Sequence, residues 1–368
     1  MPKTSFAQLS QGRSNNFDFL RFFLAFIVIY THAYTMAGVH ASSWRGRLKM
    51  FDFGGAWLAV DGFFIISGFL ITQSFLNSRG AGDYFKKRVL RIYPGFVMAL
   101  IFCVFVVGPL AGVPLESYFR DWNTYRFFQP LLFRDVVTLP GVFQHSGMAG
   151  MVNGSIWTIR YELICYVMVA VVGVAGLLRK RGLMLALFLI AMAIAAAEAA
   201  SVPNHAVWTK LIHFPYFGNL YEMPRFIVCF LGGMMFYLFR DRIPHTNGLL
   251  LLSLLLLPLA WSWATNLIIP VFGSYILFHV AFNRRIPLQN WGRSGDYSYG
   301  LYLYAFPVEQ LVVQYSHNRI GAVPLLAISF AITMALAYLS WHFLEHPFLK
   351  LKGGTRRTAA ACPVPSQV

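Results

Sequence analysis

Long apolar runs recur along almost the whole 368-residue chain, and they constrain its fold more than any other feature. A helix needs about 20 mostly apolar residues to cross the hydrocarbon core of a bilayer. The seventh, eighth and ninth runs contain Pro258, Pro270 and Pro307, respectively, and are expected to kink there. The ten candidate runs lie at about 19–37, 56–76, 94–113, 156–177, 183–200, 225–239, 248–263, 267–282, 298–316 and 322–344. The sequence therefore predicts an all-α polytopic integral membrane protein with about ten transmembrane helices.

The composition agrees with this fold class. Hydrophobic residues make up 57% of the chain and charged residues only 12%, whereas soluble domains carry about 25% charged residues. A soluble helical domain is therefore disfavoured, and the lipid bilayer is an expected partner. The four cysteines are not spaced like metal ligands or a redox pair, so the sequence predicts neither a metal site nor a bound cofactor.

Basic residues are unevenly divided between the segments that connect the runs. If the N-terminus is cytoplasmic, the inner segments hold 19 lysines and arginines and the outer segments hold 8. Cytoplasmic segments of membrane proteins carry such an excess, so both termini are predicted to be cytoplasmic. The predicted organisation is a cytoplasmic N-terminal segment (1–18), a transmembrane domain (19–345) and a cytoplasmic basic tail (346–368). Topology thus accounts for most of the net charge of +16, and no nucleic-acid partner is expected.

One inner segment carries more charge than topology requires. The stretch "YFKKRVLRIYP" (84–94), together with Arg79, places five basic residues in one predicted inner loop. Arg88 and Arg91 are three residues apart, so on a helical turn they would project from one face. Paired arginines suit phosphate oxygens, which favours a cytoplasmic phosphate-binding site. An anchor for anionic lipid is the alternative.

The first apolar run, "FLRFFLAFIVIYTHAY", contains two ionisable residues, Arg21 and His32. Their spacing of eleven residues places both on one helical face, separated by roughly 16 Å along the axis. Ionisable residues inside a membrane are costly and usually functional. In the predicted orientation, Arg21 lies near the cytoplasmic surface and His32 lies toward the outer third of the bilayer.

Asp61 in the second run, "AVDGFFIISGFLIT" (59–72), has a predicted depth that matches His32. We expect Asp61 to accept a hydrogen bond from one ring nitrogen of His32, which would leave the other nitrogen free to act as a general base. A purely structural polar pair between two helices is the alternative.

The fourth run opens with "NGSIWTIRYELICY" (153–166), which places Arg160 and Glu162 near the depth of His32. Glu162 is a candidate for binding a sugar hydroxyl or for assisting proton transfer. In the alternative interpretation, Arg160 and Glu162 form structural ion pairs with other helices. Trp157 and Tyr161 suit the membrane interface.

Six sequence blocks together resemble the membrane acyltransferase family three. The first is "FDFLR" with the spacing from Arg21 to His32, and the others are "VDGFFIISGFLI", "FKKRVLRIYP", "SIWTIRYELICY", "SYGLYLYAFPV" and "FLEHPF". They occur in the family's order between residues 17 and 348. Each block alone is a weak signal, but their joint occurrence is specific.

The resemblance implies an integral-membrane O-acyltransferase, usually an O-acetyltransferase, of the stand-alone type without a fused periplasmic domain. The donor would be cytoplasmic acyl-CoA, with acetyl-CoA as the usual co-substrate. The acceptor would be a sugar hydroxyl of an exported or lipid-linked glycan, and the location would be the inner (cytoplasmic) membrane. The glycan, the length of the acyl group and the oligomeric state stay open.

Residue roles follow from the resemblance by motif position. His32 takes the essential-histidine role and Arg21 that of its partner arginine. The predicted catalytic residues are His32, Asp61 and Glu162. The predicted donor-binding residues are Arg21, Arg88 and Arg91. The possible acceptor-site residues are Trp157, Arg160 and Tyr161.

Two other classes of protein are alternative interpretations of this sequence. A transporter or flippase for a glycan or its lipid-linked precursor would use the buried charges as a translocation path. A catalytically inactive membrane scaffold would not need His32 and Arg21. Within the enzyme class, direct transfer and a relay through His32 are both compatible with the sequence.

Overall fold

A computed structural model describes residues 5–10, 15–38, 54–200, 213–214, 218–219, 222–260 and 262–352. Ten helices in these residues correspond to the ten apolar runs. They are α1 (Phe17–Met36), α2 (Gly54–Leu76), α3 (Ala81–Leu110), α4 (Ile156–Val174), α5 (Arg181–Ala200), α6 (Met223–Leu238), α7 (Asn247–Leu259), α8 (Thr265–Phe282), α9 (Ser298–Tyr315) and α10 (Ala322–Lys350).

Seven of these helices are long and apolar enough to cross a membrane, within the part of the chain that the structure describes. They are α1, α2, α3, α4, α5, α8 and α10. Helices α6 and α7 are apolar but shorter. The predicted all-α polytopic membrane fold is confirmed, whereas the number of ten spans and the cytoplasmic termini stay predictions.

Short elements connect the long helices. The described strands are two residues each, and His213–Phe214 pairs antiparallel with Gly218–Asn219. The short helices are Phe6–Leu9, Leu115–Arg120, Trp122–Tyr125, Arg126–Leu132, Leu177–Arg179, Ser262–Ala264 and Trp291–Arg293. Much of the predicted N-terminal segment, the connection at 39–53 and the tail from residue 353 lie outside the described residues.

Helix α3 begins at Ala81 rather than near residue 94, so the basic stretch 84–94 is helical and the prediction of a loop there is wrong. Asp83 lies in the first turn, where a negative charge favours the helix N-terminus. Its carboxylate also pairs with Lys87 Nζ at 2.6 Å. These local interactions extend the helix beyond its apolar run, and Arg88 and Arg91 consequently lie on one rigid element.

Helices α2 and α6 cross with their backbones in contact. A Cβ atom on Gly68 would lie 1.9 Å from the carbonyl oxygen of Phe230, and one on Gly233 would lie 1.9 Å from that of Ile65. Only glycine permits this approach, as in many helix pairs in membranes. Helix α1, which carries Arg21 and His32, packs against α2, α9 and α10. The crossing of α2 and α6 and the packing around α1 together position the candidate site.

Candidate functional site

Two neighbouring cavities contain most of the residues selected from the sequence. The Arg21 cavity has a volume of about 140 Å³ and the His32 cavity one of about 360 Å³. Polar residues of the Arg21 cavity include Arg21, Ser67, Arg88, Arg91, Glu162 and Tyr166. Polar or aromatic residues of the His32 cavity include His32, Trp57, Asp135, Trp157, Arg160, Tyr161 and Glu222. The predicted donor-binding and acceptor-site residues are therefore segregated into different cavities.

The two cavities share part of their walls. Val60 of α2 and Tyr302 of α9 line both. The Tyr302 hydroxyl lies 2.6 Å from Oγ1 of Thr158, which lines the Arg21 cavity. Side chains rather than a layer of backbone thus separate the two spaces at this point.

His32 lies against a buried carboxylate that the sequence analysis missed. Its Nδ1 atom is 3.9 Å from Oε2 of Glu309, whose side chain is 0% exposed. Neither oxygen of the Glu309 carboxyl group has a hydrogen-bond partner among the described residues, and Nδ1 of His32 has none either. The ring of Phe306 meets the imidazole edge-on at 5.1 Å between centroids. Among the described residues, His32 is the basic side chain that lies within 4 Å of the Glu309 carboxyl group.

Asp61 does not pair with His32, and the predicted hydrogen bond between them is wrong. Arg225 of α6 donates to both carboxylate oxygens of Asp61, from Nε at 3.0 Å and from Nη2 at 2.6 Å. The guanidinium also lies over the ring of Trp57, 5.1 Å from its centroid. Asp61 and His32 were matched by depth along their helices, but Asp61 faces α6 and not α1. It therefore joins α2 to α6 through a buried ion pair.

Asp296 connects two of the arginines that line the Arg21 cavity, Arg21 and Arg91. It lies in the segment before α9 and pairs with Arg91 and, at 3.1 Å, with Arg21. Ser298 donates its hydroxyl to the same carboxylate at 2.5 Å. Burial alone would raise the pKa of Asp296, but the charges of the two arginines and the Ser298 hydrogen bonds hold it well below its usual range. The acid therefore stays ionised and keeps Arg21 and Arg91 side by side.

Arg88 completes the basic lining of the Arg21 cavity. Its Nη2 donates to Ser74 Oγ at 3.2 Å, and its Nε is buried without a hydrogen-bond partner among the described residues. The structure thus brings Arg21, Arg88 and Arg91 together, as their predicted common role requires. The free Nε and the cavity position leave Arg88 able to bind an anion.

Glu162 lies in the Arg21 cavity and not beside His32. Tyr166 donates a hydrogen bond to it, and Ser67 donates a weaker one at 3.4 Å. Arg160, two residues earlier, faces the His32 cavity instead. Residues two apart on a helix point in nearly opposite directions, which explains why one helical turn serves both cavities.

The three predicted acceptor-site residues all line the His32 cavity. Arg160 pairs with Asp135 at 3.1 Å and donates to the Tyr161 hydroxyl at 2.9 Å. Trp157 packs edge-on against Tyr161, with 5.6 Å between ring centroids. Glu222, just before α6, adds a second acid to this cavity, and burial raises its pKa to about 7.

Comparison with known proteins agrees with this architecture. A family model described as "Acyltransferase domain" matches residues 14–342. An O-acetyl transferase from Shigella phage Sf6 is 28% identical over 342 residues, which cover 92% of this chain and 96% of the relative. Nodulation protein 10 from Rhizobium leguminosarum bv. viciae is 27% identical over 377 residues, which cover 93% of this chain and 95% of the relative.

A third relative, Protein 2 in picA locus from Rhizobium radiobacter, is 28% identical over 174 residues, which cover 43% of this chain and 86% of the relative. No solved structure matches the chain. The family match spans both cavities and nearly all ten helices. The chain therefore belongs to the membrane acyltransferase family three and is a multi-pass membrane O-acyltransferase.

Proposed function

We propose that this acyltransferase moves an acetyl group from cytoplasmic acetyl-CoA to a sugar hydroxyl of an exported or lipid-linked glycan, in the cytoplasmic membrane. One observation carries the proposal. A cavity lined by three arginines adjoins a second cavity that contains a histidine backed by a buried carboxylate. The printed name of the phage relative, an O-acetyl transferase, supports acetyl as the acyl group.

The Arg21 cavity suits acyl-CoA. Guanidinium groups bind phosphate oxygens through paired, charge-assisted hydrogen bonds, and three of them line this cavity, from Arg21, Arg88 and Arg91. The remaining wall is largely apolar, with Phe63, Phe64 and Leu70 among its residues. A largely apolar cavity with three arginines in its lining fits a donor that joins a charged headgroup to a long, thin arm.

The His32 cavity suits a sugar. Trp57, Trp157 and Tyr161 offer flat apolar faces, while Asp135 and Glu222 offer acceptors for hydroxyl groups. Small-molecule sites combine aromatic walls with a few polar groups that fix orientation in this way. His32 opens onto the same space, so a bound sugar would present its hydroxyl to the imidazole.

In the proposed reaction, Nε2 of His32 accepts the proton of the sugar hydroxyl, while Glu309 holds the ring from the Nδ1 side. The hydroxyl oxygen attacks the thioester carbonyl carbon and forms the new C–O bond. The C–S bond then breaks, and the CoA thiolate leaves with the proton from His32. This direct transfer needs no covalent enzyme intermediate.

Membranes that contain the protein test the proposal when they are mixed with radiolabelled acetyl-CoA and surface glycan of the source cells. We expect base-labile label on the glycan with the wild type and none with His32→Ala. His145→Ala, which removes an exposed histidine, is the matched control and should label normally. Normal labelling by His32→Ala, or movement of glycan across vesicles with no ester formed by the wild type, would contradict the proposal.

A further inference from the structure

Tyr302 lines both cavities and has no role in the reaction proposed above. If donor and acceptor enter through different cavities, the new bond must form where the two spaces meet. Among the described residues, the side chains that line both cavities are Val60 and Tyr302. The thioester carbonyl must therefore come to rest beside these two residues.

One face of α9 organises the reaction centre around this point. Tyr302, Phe306 and Glu309 follow one another at intervals of four and three residues, which places them on one side of the helix. Glu309 and Phe306 both contact His32. Tyr302 is the next residue along that face, toward the Arg21 cavity. The phenol and the imidazole consequently lie on adjacent parts of the same wall.

Of the two side chains that line both cavities, Tyr302 is the one with a polar group, its hydroxyl. It contacts Thr158 Oγ1 at 2.6 Å, and either oxygen can be the donor. The Thr158 hydroxyl has a second acceptor in the carbonyl oxygen of Ser155, but at 3.4 Å this oxygen is farther away than the Tyr302 oxygen. When Thr158 donates to Tyr302, the Tyr302 proton is free to point into the cavity. The Tyr302 ring is held edge-on by Phe63, with 5.8 Å between centroids, which fixes the direction of the phenol.

We propose that Tyr302 is a further catalytic residue, whose hydroxyl donates a hydrogen bond to the thioester carbonyl oxygen, and that Val60, which also lines both cavities, limits the acyl group. The inference rests on the proposed function. As the sugar oxygen attacks the carbonyl carbon, the π electrons of the carbonyl move to its oxygen, and the Tyr302 proton stabilises the resulting negative charge. When the C–S bond breaks, those electrons return to the carbonyl and the sulfur leaves as a thiolate.

Tyr302→Phe tests the hydroxyl because it keeps the ring in the wall. We expect kcat for acetyl transfer to fall by about 10²-fold, the usual cost of removing one donor to an oxyanion, with little change in KM for acetyl-CoA. Tyr304→Phe is the matched control, since it removes a buried phenolic hydroxyl from the same helix and leaves kcat unchanged. An equal kcat for Tyr302→Phe and Tyr304→Phe, in membranes where the wild type forms ester, overturns the inference.

Two further variants keep the test decisive. If Tyr302→Phe fails to accumulate, Thr158→Val should lower kcat in the same way by removing the hydroxyl that orients the phenol, and an unchanged kcat overturns the inference. Val60→Ala should shift the ratio of butyryl to acetyl transfer upward by widening the passage, and an unchanged ratio overturns the role of Val60. Failure of the wild type to form any ester would instead reject the proposed function.

Discussion

The environment of Glu309 bears most directly on the proposed acyl transfer. A completely buried carboxylate with no hydrogen-bond donor among the described residues is poorly placed for stability. Such sites persist where function requires them. The residue-scale interpretation is that Glu309 orients His32 and compensates the charge that the imidazole acquires when it takes a proton.

Substitution of Glu309 should separate activity from stability. We expect Glu309→Gln to lower kcat by about 10²-fold, because the amide keeps the shape but not the charge opposite the imidazolium. Glu309→Leu should abolish transfer while leaving the thermal unfolding temperature unchanged or higher, because an apolar residue suits this site better. Initial rates and unfolding in detergent measure the two effects.

The exposed acid Glu116 provides the control, since Glu116→Gln should change neither quantity. A Glu309→Leu protein that unfolds at a lower temperature and retains its rate would assign Glu309 a structural role instead.

Lys352 gives the donor site a predicted dependence on pH. Burial, followed by the positive charges of Arg88, Arg91 and Lys87, lowers the pKa of Lys352 to about 7. The ammonium group is therefore charged below pH 7 and becomes neutral as the pH rises through that value. Lys352→Gln should bind CoA several-fold more weakly than the wild type at pH 6 and equally well at pH 8.5.

Comparison of the two proteins at each pH cancels the titration of the CoA phosphates themselves, and calorimetric titration with CoA measures both affinities. A constant ratio of affinities across this pH range would show that Lys352 takes no part in donor binding.

The candidate ionisable residues could be selected from the sequence, but the side chains that they contact could not. Arg21 and His32 stood out because ionisable groups are rare in apolar runs, and the same criterion applied to the ninth run would have found Glu309. The mistaken pairing of Asp61 has a physical cause. Spacing along a helix fixes depth, whereas the neighbour of a side chain depends on how the helices are rotated against each other.

At the scale of elements, the ten apolar runs each became a helix because helix formation in such segments depends on local backbone hydrogen bonding. The predicted start of α3 was wrong because the polar stretch 84–94 was interpreted as a loop. Asp83 and Lys87 instead stabilise a helical turn there. The contact between α2 and α6 was not predicted at all, since glycines in two distant runs do not reveal that they meet.

The contact between α2 and α6 predicts a strong effect of small substitutions. Gly233→Ala should lower the thermal unfolding temperature and transfer rate, because its Cβ atom would overlap the carbonyl oxygen of Ile65 and force the helices apart. Gly82→Ala is the matched control, because its Cβ atom would meet nothing within 4 Å and alanine favours a helix. Unfolding at the wild-type temperature by Gly233→Ala would show that the two helices are not in close contact.

At the scale of the whole molecule, the chain combines two cavities that share Val60 and Tyr302 in their walls. Charge distribution predicted which ends face the cytoplasm, and the clustering of Arg21, Arg88, Arg91 and Asp296 at one end of the helices agrees with a donor entering from that side. Segregation into two cavities could not be predicted, because their lining residues come from five helices and from the segments that connect them.

Sidedness of transfer tests the central claim most directly. Inside-out membrane vesicles expose the cytoplasmic face and enclose the glycan, whereas right-side-out vesicles expose the opposite face, and acetyl-CoA crosses neither. Radiolabelled acetyl-CoA added outside should label glycan in inside-out vesicles of the wild type, and should not do so in right-side-out vesicles or with His32→Ala. Equal labelling in both orientations, or undiminished labelling with His32→Ala, would contradict acyl transfer from a cytoplasmic arginine site to a histidine deeper in the membrane.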